Sequence, residues 1–495
     1  MDTKHVPGET LDIKEMNIQK LKSFFPGAVS EGKIDFDKLK QLLGEYVDDS
    51  TERYNFTWNG KGQSLRFSQS TSTGTLRPCP EESKDWDTTN NLYIEGDNLE
   101  CLKLLQKSYF EKIQLIYIDP PYNTGKDFVY PDNFSDSIDH YKQLTKQIDK
   151  SGKVISTNTE ANGRYHTDWL NMIYPRLKLS RNLLKDDGVI LISIDDNEIA
   201  NCLKVCDEIF GEDSRIGILT WESTTQPDNI GKARFGLQKK CEYIVFYSKS
   251  NRSYLPPFML KTSGTEKKYP HDGIWGKCRF EIIERSFDGA FARRTMRFEI
   301  LGQKPREGKQ WQIGEDTARK LELEKKVEIV DGIVKRAVYP EDECDDDNYI
   351  PFWSHLVSSK FGTSQKGKAT LQELFGKSVG FDTVKPVELI TNLLSFFPND
   401  ITVLDFFSGS ATTAHSVFIQ NNLDKGKRKF ILVQLPEPID LATHATQLKI
   451  NSICELGKER IRLAGEKEKA SGSNLDIGFK VLKLDTSNIK RWNPD

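Results

Sequence analysis

Residues Ile113–Thr124 read IQLIYIDPPYNT, and five of the first six are apolar. Such a run predicts a strand buried on both faces. Pro120 and Pro121 then end it, because neither can donate to a sheet ladder. The strand therefore delivers Asp119, Pro120, Pro121 and Tyr122 in a stiff turn. A carboxylate and a proline-fixed carbonyl accept the two N–H bonds of a planar amine, and an aromatic face stacks on the ring that carries it. With Tyr122 and Asn123 following a buried strand, the turn reads as catalytic.

Upstream, NLYIEGDNLECLKLL (91–105) predicts a strand, a glycine turn and an amphipathic helix. Asp97 falls beside the strand end, where it also suits a helix N-cap. Downstream, Lys126–Ser151 reads as a mobile loop over the site, 168–184 as a helix and GVILISIDD (188–196) as another buried strand. Asp195 and Asp196 at its end read as caps of the next helix, since nothing supplies them a metal partner at ligand spacing. EYIVFYSKS (242–250) fits a further core strand. ITVLDFFSGSATTAHSVFI (401–419) gives a short strand ending at Asp405, a small-residue turn and a helix. The turn has one glycine, Gly409, so a dinucleotide fits it poorly. KFILVQLPEP (429–438) is the neighbouring strand, and 445–470 reads as a covering surface helix.

At 495 residues the chain can hold two or three domains. Net charge is −3 with 29% charged residues, so nucleic-acid binding has to rest on local patches. Eight cysteines show no CxxC and no metal-type spacing with the seven histidines, a reducing-compartment pattern. Pro78-Cys79 lies in a loop with acidic neighbours that disfavour a thiolate, so it is rejected as a nucleophile. No apolar run reaches membrane length and the N-terminus is no signal peptide, so a cytoplasmic location is expected.

The Asp-Pro-Pro-Tyr turn, with TWNGK, TLRP, NLYIEGDNLECLKLL and IYIDPPYNTG, resembles the β-class DNA adenine-N6 amino-methyltransferases, and in particular the modification (Mod) subunit of type III restriction-modification systems. The resemblance runs from roughly residue 50 onward. It implies an α/β fold, a Rossmann-like S-adenosylmethionine-dependent methyltransferase core of mixed, mostly parallel strands with an inserted target recognition domain. It makes Asp119, Pro120, Pro121 and Tyr122 catalytic. It puts S-adenosyl-L-methionine against Asp97, Asp119, Lys385, Pro386, Asp405, Phe406, Phe407, Ser408, Gly409 and Ser410. Gln434 and Glu437 both stand near the position that holds the cofactor ribose. No metal is expected.

From about Arg215 to Gly380 the composition changes, and ARRTMR (292–297) and QKPREGKQWQ (303–312) interleave cations with Phe291, Phe298 and Trp311, a pattern that suits phosphate contacts plus base contacts. Within such a family this insert becomes the DNA reader, through Arg293, Arg294, Arg297, Lys304 and Arg306. The acidic run 341–348 reads as a solvated loop. Expected domains are 1–85 (helical and extended), 86–250 (catalytic half), 251–375 (target recognition), 376–470 (cofactor half) and 471–495 (extension). Expected partners are double-stranded DNA, a restriction (helicase/nuclease) subunit and a second copy of the chain. Mod subunits usually continue past residue 495, which leaves the last two open. Cytosine N4 as target, RNA or protein as substrate, and a non-catalytic DNA-binding subunit remain the alternatives.

Overall fold

A computed structural model describes residues 10, 12–30, 32–44, 55–124, 165–227, 237–250, 259–261, 269–288, 292–342, 349–376, 378–381, 383–439, 450–470 and 475–486. The loop expected at 126–151, Phe291 and most of the acidic run 341–348 lie outside them. The chain divides into two compact units, Met1–Pro256 with Trp353–Asp495, and Pro257–Phe352. The second unit is shorter than the 251–375 of the sequence reading. Residues from 353 onward go with the first unit, where His355–Leu356 pairs in parallel with Arg215–Glu222.

The first unit is built on a ten-stranded sheet. Its strands in chain order are β1 Gly74–Pro78, β2 Leu92–Glu95, β3 Ile113–Ile118, β4 Leu184–Ile194, β5 Arg215–Glu222, β6 Cys241–Ser248, β7 His355–Leu356, β8 Thr402–Asp405, β9 Lys429–Gln434 and β10 Lys480–Thr486. The spatial order is 7-5-6-4-3-8-9-2-10-1. Within this sheet β6 runs antiparallel to β4 and β5, and β1 antiparallel to β10; the other pairings are parallel. All six residues of β3 are buried, as are five of six in β9, which matches central parallel strands covered on both faces. Each large apolar side chain taken out of water there contributes about 1.5–3 kcal/mol. The sheet also takes in β1 and β10, beyond the segments expected to form the core.

Strands β3 and β8 are neighbours, with Leu115 opposite Val403 and Ile116 opposite Leu404, although their terminal aspartates lie 286 residues apart. From β3 the chain proceeds to β4 on one side; from β8 it proceeds to β9 on the other. The carboxyl ends of β3 and β8 therefore meet at a switch point in strand order, where open α/β sheets bind ligands.

The helices that build this edge are α1 Asn98–Tyr109, α2 Tyr165–Leu183, α3 Ile199–Phe210, α4 Val387–Leu394, α5 Thr412–Asp424 and α6 Ile453–Lys469. The expected surface role of the last is corrected: α6 buries Cys454, Leu456, Arg460, Ile461 and Ala464. Its polar letters misled because several of them pair inside the protein. Asp195 and Asp196 are likewise corrected from helix caps. Asp195 accepts from Asn197 N at 2.9 Å and from Lys239 Nζ at 3.0 Å, while α3 has no side-chain cap bond.

The second unit holds a four-stranded antiparallel sheet (His271–Gly273, Gly276–Ile282, Ile333–Val338, Val327–Val330) and the helix Glu315–Leu323. Trp311 is fully buried in its core with Ile300, Ala318 and Val334. Its indole N–H donates to the Phe298 carbonyl at 2.8 Å, so Trp311 is a packing residue and not the base contact suggested by its basic neighbours. Among the described residues no helix is long and apolar enough to cross a membrane.

Candidate active site at the centre of the sheet

The Asp119 turn is fixed from two helices. Trp169 of α2 donates its indole N–H to the Pro121 carbonyl at 2.8 Å. Asn123, buried at φ +61°, donates its amide to the Tyr165 carbonyl at 3.1 Å and to Glu198 at 2.6 Å. Asn tolerates that left-handed conformation better than a bulkier residue, which accounts for its place after Tyr122.

Lys385 Nζ lies 2.9 Å from Asp119 Oδ1 and 3.3 Å from Glu242 Oε2. The Tyr122 hydroxyl donates to the same Glu242 oxygen at 3.0 Å. The ammonium stands 4.8 Å from the centre of the Tyr122 ring and 5.8 Å from that of Trp221, two cation–π contacts. Asp119 Oδ1 is sealed from solvent, yet the side chain keeps 26% of its surface, so its accessible edge is the Oδ2 side. Burial raises the Asp119 carboxyl above its ordinary value, Lys385 opposes this, and Glu242 adds to the rise. Burial alone would lower Lys385, but Asp119 and Glu242 outweigh it and hold the ammonium charged. Burial, then the two carboxylates, keep the Tyr122 phenol protonated and a donor.

Asp405 ends β8 nearly fully buried. Its carboxylate accepts from Thr413 Oγ1 at 2.6 Å and from Phe407 N at 3.0 Å. Burial pushes it up to about 7 despite those two bonds, with Asp119 adding to the rise. The turn after it is tied down from outside. Gln434 at the end of β9 accepts from Gly409 N at 2.7 Å, and Asn98 of α1 donates to the Phe406 carbonyl at 2.8 Å. Asn98 is held in turn by the Arg176 guanidinium, which also reaches Asp97 Oδ2 at 3.3 Å. Gly409 sits at φ +49°, where a side chain would strain the turn.

Both turns face one cavity of about 110 Å³. Phe381, Ile390 and Phe407 make an apolar part of its wall; Ser408, Ser410, Thr412 and Thr413 give hydroxyls, and Tyr117, Asp119, Lys385 and Asp405 supply the ionisable groups. The structure thus brings Asp119, Lys385, Asp405, Phe407, Ser408, Gly409 and Ser410 to one surface. Other expected residues stand back from that wall. Asp97 caps α1 through Glu100 N at 3.0 Å, Pro386 starts α4, and Phe406 is in the core. Gln434 holds the Gly409 amide, and the Glu437 carbonyl accepts from Ile453 N at 2.8 Å. Sequence reasoning missed Glu242, Trp221, Thr413 and Arg460. Glu242 left one signal, a carboxylate at the head of an apolar strand run.

In the second unit Arg293, Arg294 and Arg297 are exposed, and no carboxylate among the described residues pairs with them. Arg306 is less available, since its Nε donates to Glu284 at 2.6 Å. Lys304 pairs loosely with Glu299 at 3.7 Å. Elsewhere Cys79, Glu81 and Glu82 come close enough for a cation, but Lys458 and Lys483 occupy Glu82. Burial is the main cause that raises the Cys79 thiol; Arg77 and Lys483 oppose it.

Residues 113–435 match the model of the N6_N4_Mtase family, described as DNA methylase. The chain belongs to this family, and within it to the type III Mod subunits. It is 32% identical to the type III restriction-modification enzyme EcoP15I Mod subunit of Escherichia coli, over 96% of this chain and 78% of that one. It is 31% identical to the StyLTI Mod subunit of Salmonella typhimurium, over 92% of this chain and 70% of the other. The solved PvuII DNA methyltransferase (cytosine-N4-specific) superposes with a TM-score of 0.35 at 12% identity, over 76% of this chain and 94% of that one, too distant to bear on the target base.

Proposed function

We propose that the protein transfers a methyl group from S-adenosyl-L-methionine to N6 of adenine in DNA, as the modification subunit of a type III restriction-modification system. The observation that carries this is the meeting of the Asp119 turn and the Asp405 turn on adjacent parallel strands around one cavity. The wall fits the cofactor in kind: an apolar part for adenosine, and hydroxyls with a small-residue turn for the methionine end. Asp405 and the residues to Ser410 hold that end, with Gln434 fixing the turn. Bound cofactor supplies an electrophilic methyl group on a sulfonium.

The protein's own part is to prepare the amine. Adenine N6 is a weak nucleophile because its lone pair is delocalised into the ring. Asp119 Oδ2 and the Pro120 carbonyl accept the two amino hydrogens, which favours a localised lone pair. As the N6–methyl bond forms and the carbon–sulfur bond breaks, positive charge builds on N6. Asp119, its carboxyl raised by burial, takes the surplus proton at Oδ2. Inside a duplex the amine is out of reach, so the base is flipped, at a cost of about a few kcal/mol. Stacking on Tyr122 returns about 1–3 kcal/mol.

The unit Pro257–Phe352 serves as target recognition domain, with Arg293, Arg294 and Arg297 on phosphates or bases. A restriction subunit and a second copy of the chain complete the partners, in the cytoplasm. The test is to incubate the protein with labelled cofactor and unmethylated genomic DNA, then identify the labelled nucleoside. N6-methyladenine is expected. N4-methylcytosine would move the target to the other base, and cofactor binding with no label on DNA would refute transfer by this chain alone.

A further inference from the structure

Helix α6 comes unusually close to the Asp405 turn. At Gly457 an added Cβ would meet the Tyr93 hydroxyl at 2.9 Å and the Gly409 carbonyl at 3.4 Å, so this position admits nothing larger. One turn on, Arg460 is fully buried and points at the same segment. Its Nη1 donates to Ser410 Oγ at 2.8 Å, Thr412 Oγ1 at 2.7 Å and the Ser410 carbonyl at 3.3 Å. Nε and Nη2 are buried, and among the described residues neither has a hydrogen-bond partner and no carboxylate pairs with the guanidinium.

A buried cation without a counter-charge is costly, so it calls for an anion that the described residues do not supply. Its neighbours do not provide one. His415 on α5 is held neutral, lowered by burial and then by Arg460 itself. Burial lowers Arg460 to about 9, which leaves it charged at neutral pH. Ser410 and Thr412 line the cavity, and both hydroxyl oxygens already accept from Arg460. Each hydroxyl has one proton to give, and that proton is left to donate elsewhere. The two residues also stand at the start of the 13-residue helix α5, whose first N–H groups favour negative charge. Lys385, the cation that lines the cavity, is occupied by Asp119 and Glu242.

We propose that Arg460 is a positioning residue for the carboxylate of the methyl donor, acting through the hydroxyls of Ser410 and Thr412. It turns both oxygens into acceptors on its own side, so their protons face the ligand, and it supplies the balancing charge from behind. The inference rests on the methyltransferase reading above.

The experiment measures equilibrium binding of S-adenosylmethionine and of decarboxylated S-adenosylmethionine to the full chain and to Arg460→Met. The wild type is expected to prefer the carboxylate-bearing ligand. Arg460→Met is expected to weaken that ligand roughly tenfold or more, the range of a charge-assisted hydrogen bond, and to change the decarboxylated one by less than about twofold. Equal weakening of both ligands would reduce Arg460 to a structural residue and overturn the proposal, and so would no weakening of either. If Arg460→Met does not fold, Arg460→Lys keeps the charge and is expected to show a smaller loss confined to S-adenosylmethionine. Equal affinity of the wild type for the two ligands also overturns the proposal. A wild type that binds neither ligand refutes the methyltransferase reading itself, a distinct outcome.

Discussion

Replacing Lys385 with methionine removes a cation shared by Asp119 and Glu242 and keeps most of the side-chain volume. At the observed 2.9 Å, the Lys385–Asp119 attraction is about 1.4 kcal/mol in bulk water and about 6 kcal/mol at an effective dielectric near 20. The side chains keep 12% and 26% of their surface, so water screens part of it and a value near 2 kcal/mol is reasonable. The sign follows from what is lost. Lys385 lowers the Asp119 carboxyl while Glu242 raises it, so its removal moves the carboxyl further up. The form that accepts the amine hydrogens then exists only at higher pH. Single-turnover methyl transfer, measured from pH 5 to 9 with saturating cofactor, should show its acidic limb displaced upward by roughly 1–2 units in Lys385→Met. An unmoved limb with a weakened cofactor would refute this reasoning and make Lys385 a cofactor ligand alone.

Two more perturbations separate the parts of the account. Arg293→Ala, Arg294→Ala and Arg297→Ala together should weaken DNA binding and reduce its log–log salt slope by up to about 3, with cofactor affinity unchanged; titrations at several salt concentrations read both. Asp405 is pushed to about 7, mainly by burial, so it is neutral below that pH and ionised above it. Only the ionised form attracts a sulfonium, so cofactor affinity should rise as pH increases through 7. In Asp405→Asn the rise should disappear; a variant that keeps the full pH dependence would place the titrating group elsewhere.

The strands that carry the site were legible because parallel strands buried on both faces announce themselves as apolar runs. β3, β8 and β9 lie within the runs so identified, while β4 begins four residues and β6 one residue ahead of theirs. What local pattern could not give was pairing across long separations. The contact of Leu115 and Ile116 with Val403 and Leu404 depends on the order in which crossovers are laid down. The same limit hid Glu242 and Arg460, whose chemistry arises only from what the fold puts next to them. Glu242 reads as a polar residue at a strand start until Tyr122 and Lys385 arrive beside it. Arg460 reads as one more charge on a polar helix, and only the closeness allowed by Gly457 shows that its face is the buried one. Trp311 failed in the opposite way: basic neighbours suggested an exposed base reader, and the side chain is the core of its unit.

The most direct test of the central claim measures cofactor affinity and single-turnover transfer side by side in the wild type and Asp119→Ala. Transfer should fall by at least about a thousandfold, with cofactor affinity within a few-fold of the wild type, because this variant removes the acceptor of the amine hydrogens and leaves the Asp405 turn intact. Transfer at the wild-type rate in Asp119→Ala would contradict the claim.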